Sequence, residues 1–216
     1  MKAVPVTESV YEYILEKSNT KDSLLDELVK ETETLNIPLI QISPDQGRFL
    51  FLLCRMINAK DALEVGTLTG FSGIHIARGL TESGKLTTIE LEKKHGEIAS
   101  KYFEKAGLKH KVEVVISTAL DHMNRLITEK RKFDFIFIDA NKTDYPLYYE
   151  AAIGLSHKST VIALDNMLKA GKVVEEAGDD EDLKAVQITN EIISKDERVD
   201  SMIITIGDGL AVAVVK

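Results

Sequence analysis

The stretch "DALEVGTLTGFSGIHIARGL", residues 61–80, decides the fold of this chain. It begins as a short apolar strand, turns through Gly66 and Gly70, and continues as a helical run. Glycine lets the backbone turn tightly there and approach a ligand closely. In an open α/β sheet, the turn after such a strand is the expected ligand cleft. The stretch therefore predicts an α/β domain with a binding site at residues 66–70.

From residue 60 onward, short β-prone runs alternate with helical segments. The predicted strands are DALEV, KLTTIE, KVEVVIS, FDFIFID, STVIALD, VDSMIITI and LAVAVV. Strand, helix and strand in repeated order predict a parallel sheet with helices on both faces. The last two strands are separated only by "GDG", which is too short for a crossover, so they should form an antiparallel hairpin.

The part of the chain before this alternation reads as helical. Apolar residues recur at three- and four-residue spacing in SVYEYILEK and DSLLDELVKETETL, and Asp22 or Ser23 could cap the second helix. Ser43 followed by Pro44 predicts the start of a third helix. Because no repeat or Pro/Gly-rich linker interrupts the sequence, we expect one domain, 1–216, with a helical segment 1–58 and an α/β core 59–216.

Composition excludes several classes of protein. The chain has 216 residues, of which 44% are hydrophobic, and a net charge of −8, which argues against a nucleic-acid partner. The single cysteine, Cys54, lies in an apolar stretch, so an internal disulfide and a cysteine zinc site are both excluded. No apolar run approaches the roughly 20 residues of a membrane span. The N-terminus lacks the apolar core of a signal peptide, so we expect no membrane association and a cytoplasmic protein.

An acidic residue follows the glycine turn at a distance typical of nucleotide-binding sheets. Glu90 ends the second predicted strand, 24 residues after Gly66, where a carboxylate can bind ribose hydroxyls. The turn reads Glu64-x-Gly66-x-x-x-Gly70 rather than G-x-G-x-x-G. This looser loop suits a ligand with a ribose and a positively charged end. Two alternatives remain open. The protein could be a nicotinamide-dependent dehydrogenase, or the turn could merely connect a strand to a helix without binding a ligand.

Polar side chains also end two later strands. "FDFIFIDANK" (133–142) finishes with Asp139 and Lys142, and "STVIALDN" (159–166) finishes with Asp165 and Asn166. Two carboxylates and an amide supply oxygen ligands, which suit Mg²⁺ best, or Mn²⁺ or Ca²⁺. A cation would disfavour the ammonium form of Lys142, so this lysine could accept a proton from a hydroxyl. Alternatively, Asp139 caps a helix, "DN" is a turn and Lys142 is a surface lysine.

Together these motifs resemble the cation-dependent class I O-methyltransferases, the family of the caffeoyl-CoA and catechol enzymes. The resemblance rests on SPDQGRFL, LEVGTLTGFS, "IE" at 89–90, DANKTDY, LDN and GDG, which occur in the family's order. It implies a Rossmann-like fold, S-adenosylmethionine as cofactor, and a homodimer in which segment 1–58 shapes the acceptor pocket or the dimer. The methyl acceptor should be a small aromatic compound with two adjacent hydroxyl groups.

The resemblance also assigns residues. The cofactor's methionine half should contact Glu64, Gly66, Thr67 and Ser72, its ribose Glu90, and its adenine Ala119. Asp139 and Asn141 should also bind the cofactor. The cation should be held by Asp139, Asp165 and Asn166, with Lys142 as the general base.

Two departures from the family pattern stand out. Asn141 makes the motif "DANK" where the family usually has "DADK", so a carboxylate that helps to hold the cofactor's ammonium is replaced by an amide. Lys169 and Ala170 follow "LDNML" where the family often has Leu-Trp and a polar residue or Gly. A homologue that binds the cofactor without catalysis is therefore a further alternative.

Overall fold

The computed structural model describes residues 5–216. Residues 1–4, which begin the stretch where no signal peptide is expected, lie outside the described residues. Three helices come first: α1 (Glu8–Lys17), α2 (Ser23–Thr34) and α3 (Pro44–Met56). The Asp22 side chain accepts hydrogen bonds from the backbone N–H groups of Leu24 and Leu25, so Asp22 rather than Ser23 caps α2. Ser43 is the N-cap of α3 and Pro44 its first residue, as predicted, although the Ser43 side chain makes no capping bond.

Strands and helices alternate after α3. The strands are β1 (Asp61–Val65), β2 (Lys85–Glu90), β3 (Val112–Ile116), β4 (Phe133–Ile138), β5 (Ser156–Leu164), β6 (Val199–Ile204) and β7 (Leu210–Val215). The helices are α4 (Phe71–Gly79), α5 (Lys93–Lys105), α6 (Ala119–Thr128), α7 (Tyr145–Gly154) and α8 (Glu181–Lys195). Short 3₁₀ segments occur at Lys142–Asp144 and Lys169–Val174.

All the strands form one seven-stranded sheet in the order β3-β2-β1-β4-β5-β7-β6. β1 to β5 are parallel, whereas β7 is antiparallel to both β5 and β6. The predicted Rossmann-like sheet with a C-terminal antiparallel hairpin is therefore confirmed. The direction of winding reverses between β1 and β4, and ligands of such sheets bind at the carboxyl ends of the strands beside this reversal.

Helices cover both faces of the sheet. Successive side chains of a strand point to opposite faces, so each central strand contributes to two cores. In β4, Phe135 and Phe137 belong to the core formed with α3, α4 and α5. Ile136 and Ile138 belong to the core formed with α6, α7 and α8. The central strands are thus buried on both faces, which explains their almost wholly apolar sequences.

Three details differ from the sequence prediction. β5 starts at Ser156, ahead of the predicted run, and its pairing with β4 shifts register between Phe133 and Phe135. β3 is an edge strand and only partly buried, since nothing pairs with its outer side. The hairpin connection extends over residues 205–209 rather than "GDG" alone. Within residues 5–216, no helix has both the length and the apolar character that a bilayer crossing requires.

Candidate active site

A cavity of about 880 Å³ runs along the carboxyl ends of β1, β2, β4 and β5. Nine of the eleven predicted site residues line it: Gly66, Thr67, Ser72, Glu90, Ala119, Asp139, Asn141, Lys142 and Asn166. The other two, Glu64 and Asp165, lie behind its wall. The structure therefore brings together residues that are separated by up to 100 positions in the chain.

The glycine turn brings β1 close to the end of β4. Gly66 has a φ of +96°, and a Cβ built at this position would lie 2.0 Å from the Asp139 carbonyl oxygen. A side chain at residue 66 would therefore collide with the backbone of the strand that carries Asp139. Because Gly66 has no side chain, the ends of β1 and β4 can approach each other closely. Together they form one wall of the cavity.

Glu64 lies beneath the turn, fully buried. Its Oε2 accepts a hydrogen bond of 2.6 Å from the Thr88 hydroxyl, which in turn is 2.5 Å from the Thr67 hydroxyl. Its Oε1 has no hydrogen-bond partner among the residues that the structure describes. Burial raises the pKa of Glu64 to about 7, although hydrogen bonds from Ser72 and Thr88 oppose the shift. The predicted contact between Glu64 and a cofactor remains a prediction.

Glu90, the residue predicted to bind ribose, is almost fully buried at the end of β2. Its Oε2 accepts a 2.8 Å bond from the backbone N–H of Leu68, and its Oε1 accepts a 2.9 Å bond from that of Glu92. The carboxylate is thus held in a fixed orientation at the cavity wall. Each oxygen keeps a further lone pair that could accept a hydroxyl from a sugar.

The end of β4 carries an ion pair. Lys142 Nζ lies 2.7 Å from Asp139 Oδ1 and donates a second 2.7 Å hydrogen bond to the Tyr145 hydroxyl. Tyr145 is fully buried, and burial, followed by the negative charge of Asp139, raises its pKa well above the usual value. Tyr145 therefore stays protonated and fixes the position of the Lys142 amine.

The end of β5 carries a second carboxylate. Asp165 is 3% exposed, and its Oδ1 accepts a 2.6 Å hydrogen bond from Gln46 Nε2 of α3. Burial, followed by the nearby charge of Asp139, raises the pKa of Asp165 to about 6. Asn166, the next residue, adopts a left-handed conformation with a φ of 59°. Sequence reasoning did not identify Gln46 as a site residue.

The donor set at these two strand ends fits a hard divalent cation. Within residues 5–216, no three His, Cys, Asp or Glu side chains gather as a metal cluster, and the predicted site combines two carboxylates with the Asn166 amide. Two carboxylates and an amide oxygen match the ligand preferences of Mg²⁺, Mn²⁺ and Ca²⁺. Burial, followed by the charge of Asp139, disfavours the ionised form of Asp165, and a bound cation would favour that form.

Asn141 belongs to a separate hydrogen-bonded group on the cavity wall. Its Nδ2 donates a 2.7 Å bond to Asp144 Oδ2, and its Oδ1 accepts a 2.6 Å bond from the Tyr148 hydroxyl. Burial, followed by the charge of Asp144, raises the pKa of Tyr148 to about 12. Both Asp144 and Tyr148 line the cavity, and the Tyr148 side chain also belongs to the buried core.

The opposite side of the cavity is formed by the segment after β5. Lys169 Nζ lies 3.2 Å from Asp182 Oδ2 at the start of α8. Lys169, Ala170 and Gly171 have successive positive φ angles, and the Ala170 N–H donates a 2.6 Å bond to Asp208. Asp182 lies on the cavity wall, although most of the acidic stretch around it is exposed.

Residues 15–216 match the family model described as O-methyltransferase. The chain belongs to this O-methyltransferase family. The match of nearly the whole chain to methyl-transferring enzymes disfavours the dehydrogenase alternative.

Individual O-methyltransferases resemble the chain over almost its full length. A catechol O-methyltransferase from Niastella koreensis is 36% identical over 217 residues, covering 98% of this chain and 98% of the relative. A caffeoyl-CoA O-methyltransferase from Populus kitakamiensis is 34% identical over 221 residues, covering 97% of this chain and 94% of the relative. The crystal structure of an O-methyltransferase from Bacillus cereus in complex with SAH (S-adenosylhomocysteine) has a TM-score of 0.91 at 38% identity, covering 96% of this chain and 97% of that one.

Proposed function

We propose that this O-methyltransferase transfers the methyl group of S-adenosylmethionine to one hydroxyl of a small aromatic compound with two adjacent hydroxyls, and that the reaction depends on a divalent cation. The observation that carries the proposal is the pairing of two strand ends. Ile138 and Leu164 are paired at the ends of β4 and β5, so Asp139 and the buried Asp165 directly follow neighbouring strand ends, and Lys142 Nζ lies 2.7 Å from Asp139. The names of the catechol and caffeoyl-CoA relatives and the SAH complex of the Bacillus cereus enzyme support it.

The size and polarity of the cavity are compatible with this chemistry. About 880 Å³ is enough for a nucleoside cofactor and a small aromatic acceptor side by side. Glu90 would accept hydrogen bonds from the ribose, while Gly66, Thr67 and Ser72 would surround the methionine half. Ala119, at the first turn of α6, would lie near the adenine.

The proposed cation would be held by Asp139, Asp165 and Asn166. When bound, such a cation lowers the pKa of a coordinated hydroxyl, and S-adenosylmethionine supplies an electrophilic methyl carbon. The protein's own side chains orient the proposed ligands and accept the proton. Gln46 holds one oxygen of Asp165 and so fixes the direction of that carboxylate.

Lys142 is the proposed general base. Its Nζ, positioned by Asp139 and Tyr145, accepts the proton of the reacting phenol when the lysine is in its neutral amine form. The phenol oxygen then attacks the methyl carbon while the carbon–sulfur bond breaks and its electron pair returns to sulfur. The products are an aryl methyl ether, S-adenosylhomocysteine and a protonated Lys142, which releases its proton to solvent. Holding both reactants in line supplies much of the rate enhancement.

Two further expectations from the sequence remain proposals, namely a homodimer and a cytoplasmic location. Exposed apolar side chains of the helical segment 1–58, such as Tyr13 and Met56 at 62% and 65% exposure, are compatible with an interface between copies. Light scattering coupled to size-exclusion chromatography distinguishes a monomer of 24.0 kDa from a dimer of twice that mass.

A methyl-transfer assay tests the proposed function. Purified protein is incubated with Mg²⁺, radiolabelled S-adenosylmethionine and a panel of paired acceptors, each vicinal diphenol beside the monophenol that lacks one hydroxyl. We expect label in the diphenol products and little in those of the monophenols. Equal labelling of both members would contradict the vicinal-diol requirement. No labelling of any acceptor, with SAH binding intact by calorimetry, would favour the non-catalytic alternative.

A further inference from the structure

The cavity contains a carboxylate for which the proposed mechanism has no use. Asp144 lines the cavity where the 3₁₀ segment Lys142–Asp144 meets α7. Its Oδ2 accepts a 2.7 Å hydrogen bond from Asn141 Nδ2 and lies 3.3 Å from the Tyr148 hydroxyl. The Tyr148 proton is donated to Asn141 Oδ1 at 2.6 Å, so Asn141 is the side-chain donor to Asp144. This neutral amide holds the carboxylate in place and leaves its negative charge uncompensated.

Two other acidic groups of the cavity differ from Asp144 in this respect. Asp139 is paired with Lys142, and Asp182 is paired with Lys169. Among residues 5–216, no Lys, Arg or His nitrogen forms an ion pair with Asp144, although the hydrogen bond from Asn141 orients it. A fixed carboxylate with neutral partners, facing a cavity, is a ready site for a ligand cation.

Glu90, Glu92 and Asp208 also line the cavity, but their positions are less suitable. Glu90 accepts two backbone N–H groups and lies 3.5 Å from His95 Nδ1, and Glu92 lies just beyond it on the side proposed for the ribose. Asp208 accepts the Ala170 N–H on the opposite wall. Asp144 is the uncompensated carboxylate that touches Asn141.

We propose that Asp144 supplies the negative charge for the α-ammonium of S-adenosylmethionine. Asp144 lies three residues after Asn141 and accepts a hydrogen bond from it. It would therefore take the role of the carboxylate that residue 141 lacks. This inference rests on the proposed use of S-adenosylmethionine. It explains how a protein with an amide at residue 141 keeps a charged partner for the cofactor. Tyr148, which donates to Asn141, turns the Nδ2 group of the amide toward Asp144.

Calorimetric titration with two ligands separates this charge effect from general damage. S-adenosylhomocysteine carries the α-ammonium, whereas 5′-methylthioadenosine has the same nucleoside and thioether but no amino acid. We expect Asp144→Asn to weaken binding of S-adenosylhomocysteine about three- to fivefold, the upper part of the range for an exposed ion pair. Binding of 5′-methylthioadenosine should change less than about twofold, which also shows that the cavity is still folded.

Exchanging the two side chains is the sharper test. Asn141→Asp combined with Asp144→Asn keeps the net charge and the hydrogen-bonded pair, and should restore most of the affinity for S-adenosylhomocysteine. Asp179→Asn is the matched control, because it removes the same charge from an exposed position outside the cavity and should leave both affinities unchanged.

The outcomes distinguish this inference from the proposed function. Unchanged affinity of Asp144→Asn for S-adenosylhomocysteine, or equal weakening of both ligands, would overturn the role of Asp144 alone. Failure of the unmodified protein to bind either ligand would overturn the use of this cofactor and the inference with it.

Discussion

Glu64 makes the stability of the free protein depend on pH in a way that the structure quantifies. The side chain is fully buried, and one carboxylate oxygen has no partner among the described residues. Burial therefore raises its pKa to about 7, from an ordinary value of 4.5. Because the folded state binds this proton more tightly than the unfolded state, the stabilisation is fully present below pH 4.5 and is lost as the pH rises through 7.

The magnitude follows from that displacement. At about 1.4 kcal/mol per unit of pKa shift, protonation of Glu64 stabilises the folded state by about 3 kcal/mol. About 2.5 kcal/mol of this stabilisation is lost between about pH 5 and pH 8.5. A glutamine side chain cannot ionise, so Glu64→Gln should abolish this part of the pH dependence. Other groups, including Asp165 and His75, titrate in both proteins and cancel when the two are compared.

Urea unfolding of both proteins at about pH 5 and pH 8.5, without cofactor, measures the effect. The unfolding free energy of the unmodified protein should fall by about 2–3 kcal/mol more than that of Glu64→Gln. Glu175→Gln, at an exposed position, is the control and should follow the unmodified protein. A difference in pH dependence below about 1 kcal/mol, or of opposite sign, would refute the assignment of a raised pKa to Glu64.

Three further substitutions, one of them with a matched control, test the geometry of the site. Gly66→Ala should destabilise the protein by more than about 3 kcal/mol in chemical denaturation, because its Cβ would lie 2.0 Å from the Asp139 carbonyl oxygen. Gly107→Ala, with a φ of +73° and nothing within 4 Å of the new Cβ, should cost only about 1 kcal/mol, and equal losses would contradict the argument. Asp165→Ala should abolish cation-stimulated methyl transfer while circular dichroism shows an intact fold, and retained stimulation would exclude Asp165 as a ligand. Gln46→Ala removes a 2.6 Å hydrogen bond to Asp165 and should weaken Mg²⁺ binding in calorimetry at least tenfold, whereas unchanged Mg²⁺ affinity would show that Gln46 does not position the carboxylate.

The fold was predictable because its signals are local. The apolar runs and their spacing predicted all seven strands, and the short connection before β7 predicted the antiparallel hairpin. The exposure of β3 was not predictable in the same way, because a strand's position at the edge depends on which strands pair with it. The early start of β5 depends similarly on its irregular pairing with β4.

The strand-end residues were predictable for a related reason. Gly66, Glu90 and Asp139 lie at the ends of parallel strands or directly after them, and the carboxyl ends of such strands meet at one edge of a sheet. Glu64 shows the limit of this reasoning. It precedes the turn by two residues, and side chains alternate along a strand, so its carboxylate packs against Gly73 of α4 rather than on the cavity wall.

Contacts between distant segments could not be read from the sequence. Gln46 reaches Asp165 across 119 positions, and nothing in "SPDQG" specifies that this side chain points to a strand end. The pairing of Lys169 with Asp182 depends on three successive left-handed residues, of which only Gly171 signals such a conformation. The hydrogen bond between Asn141 and Asp144, on which the proposed exchange of roles rests, depends on side-chain positions that the sequence does not specify.

The central claim is that Asp139, Asp165 and Asn166 hold a cation on which methyl transfer depends. The direct test is the initial rate of label transfer from S-adenosylmethionine to a vicinal diphenol after exhaustive treatment with a chelator, followed by addition of excess Mg²⁺. The account predicts a rate at background level in the chelator and recovery on addition of Mg²⁺. A rate that the chelator leaves unchanged would contradict it.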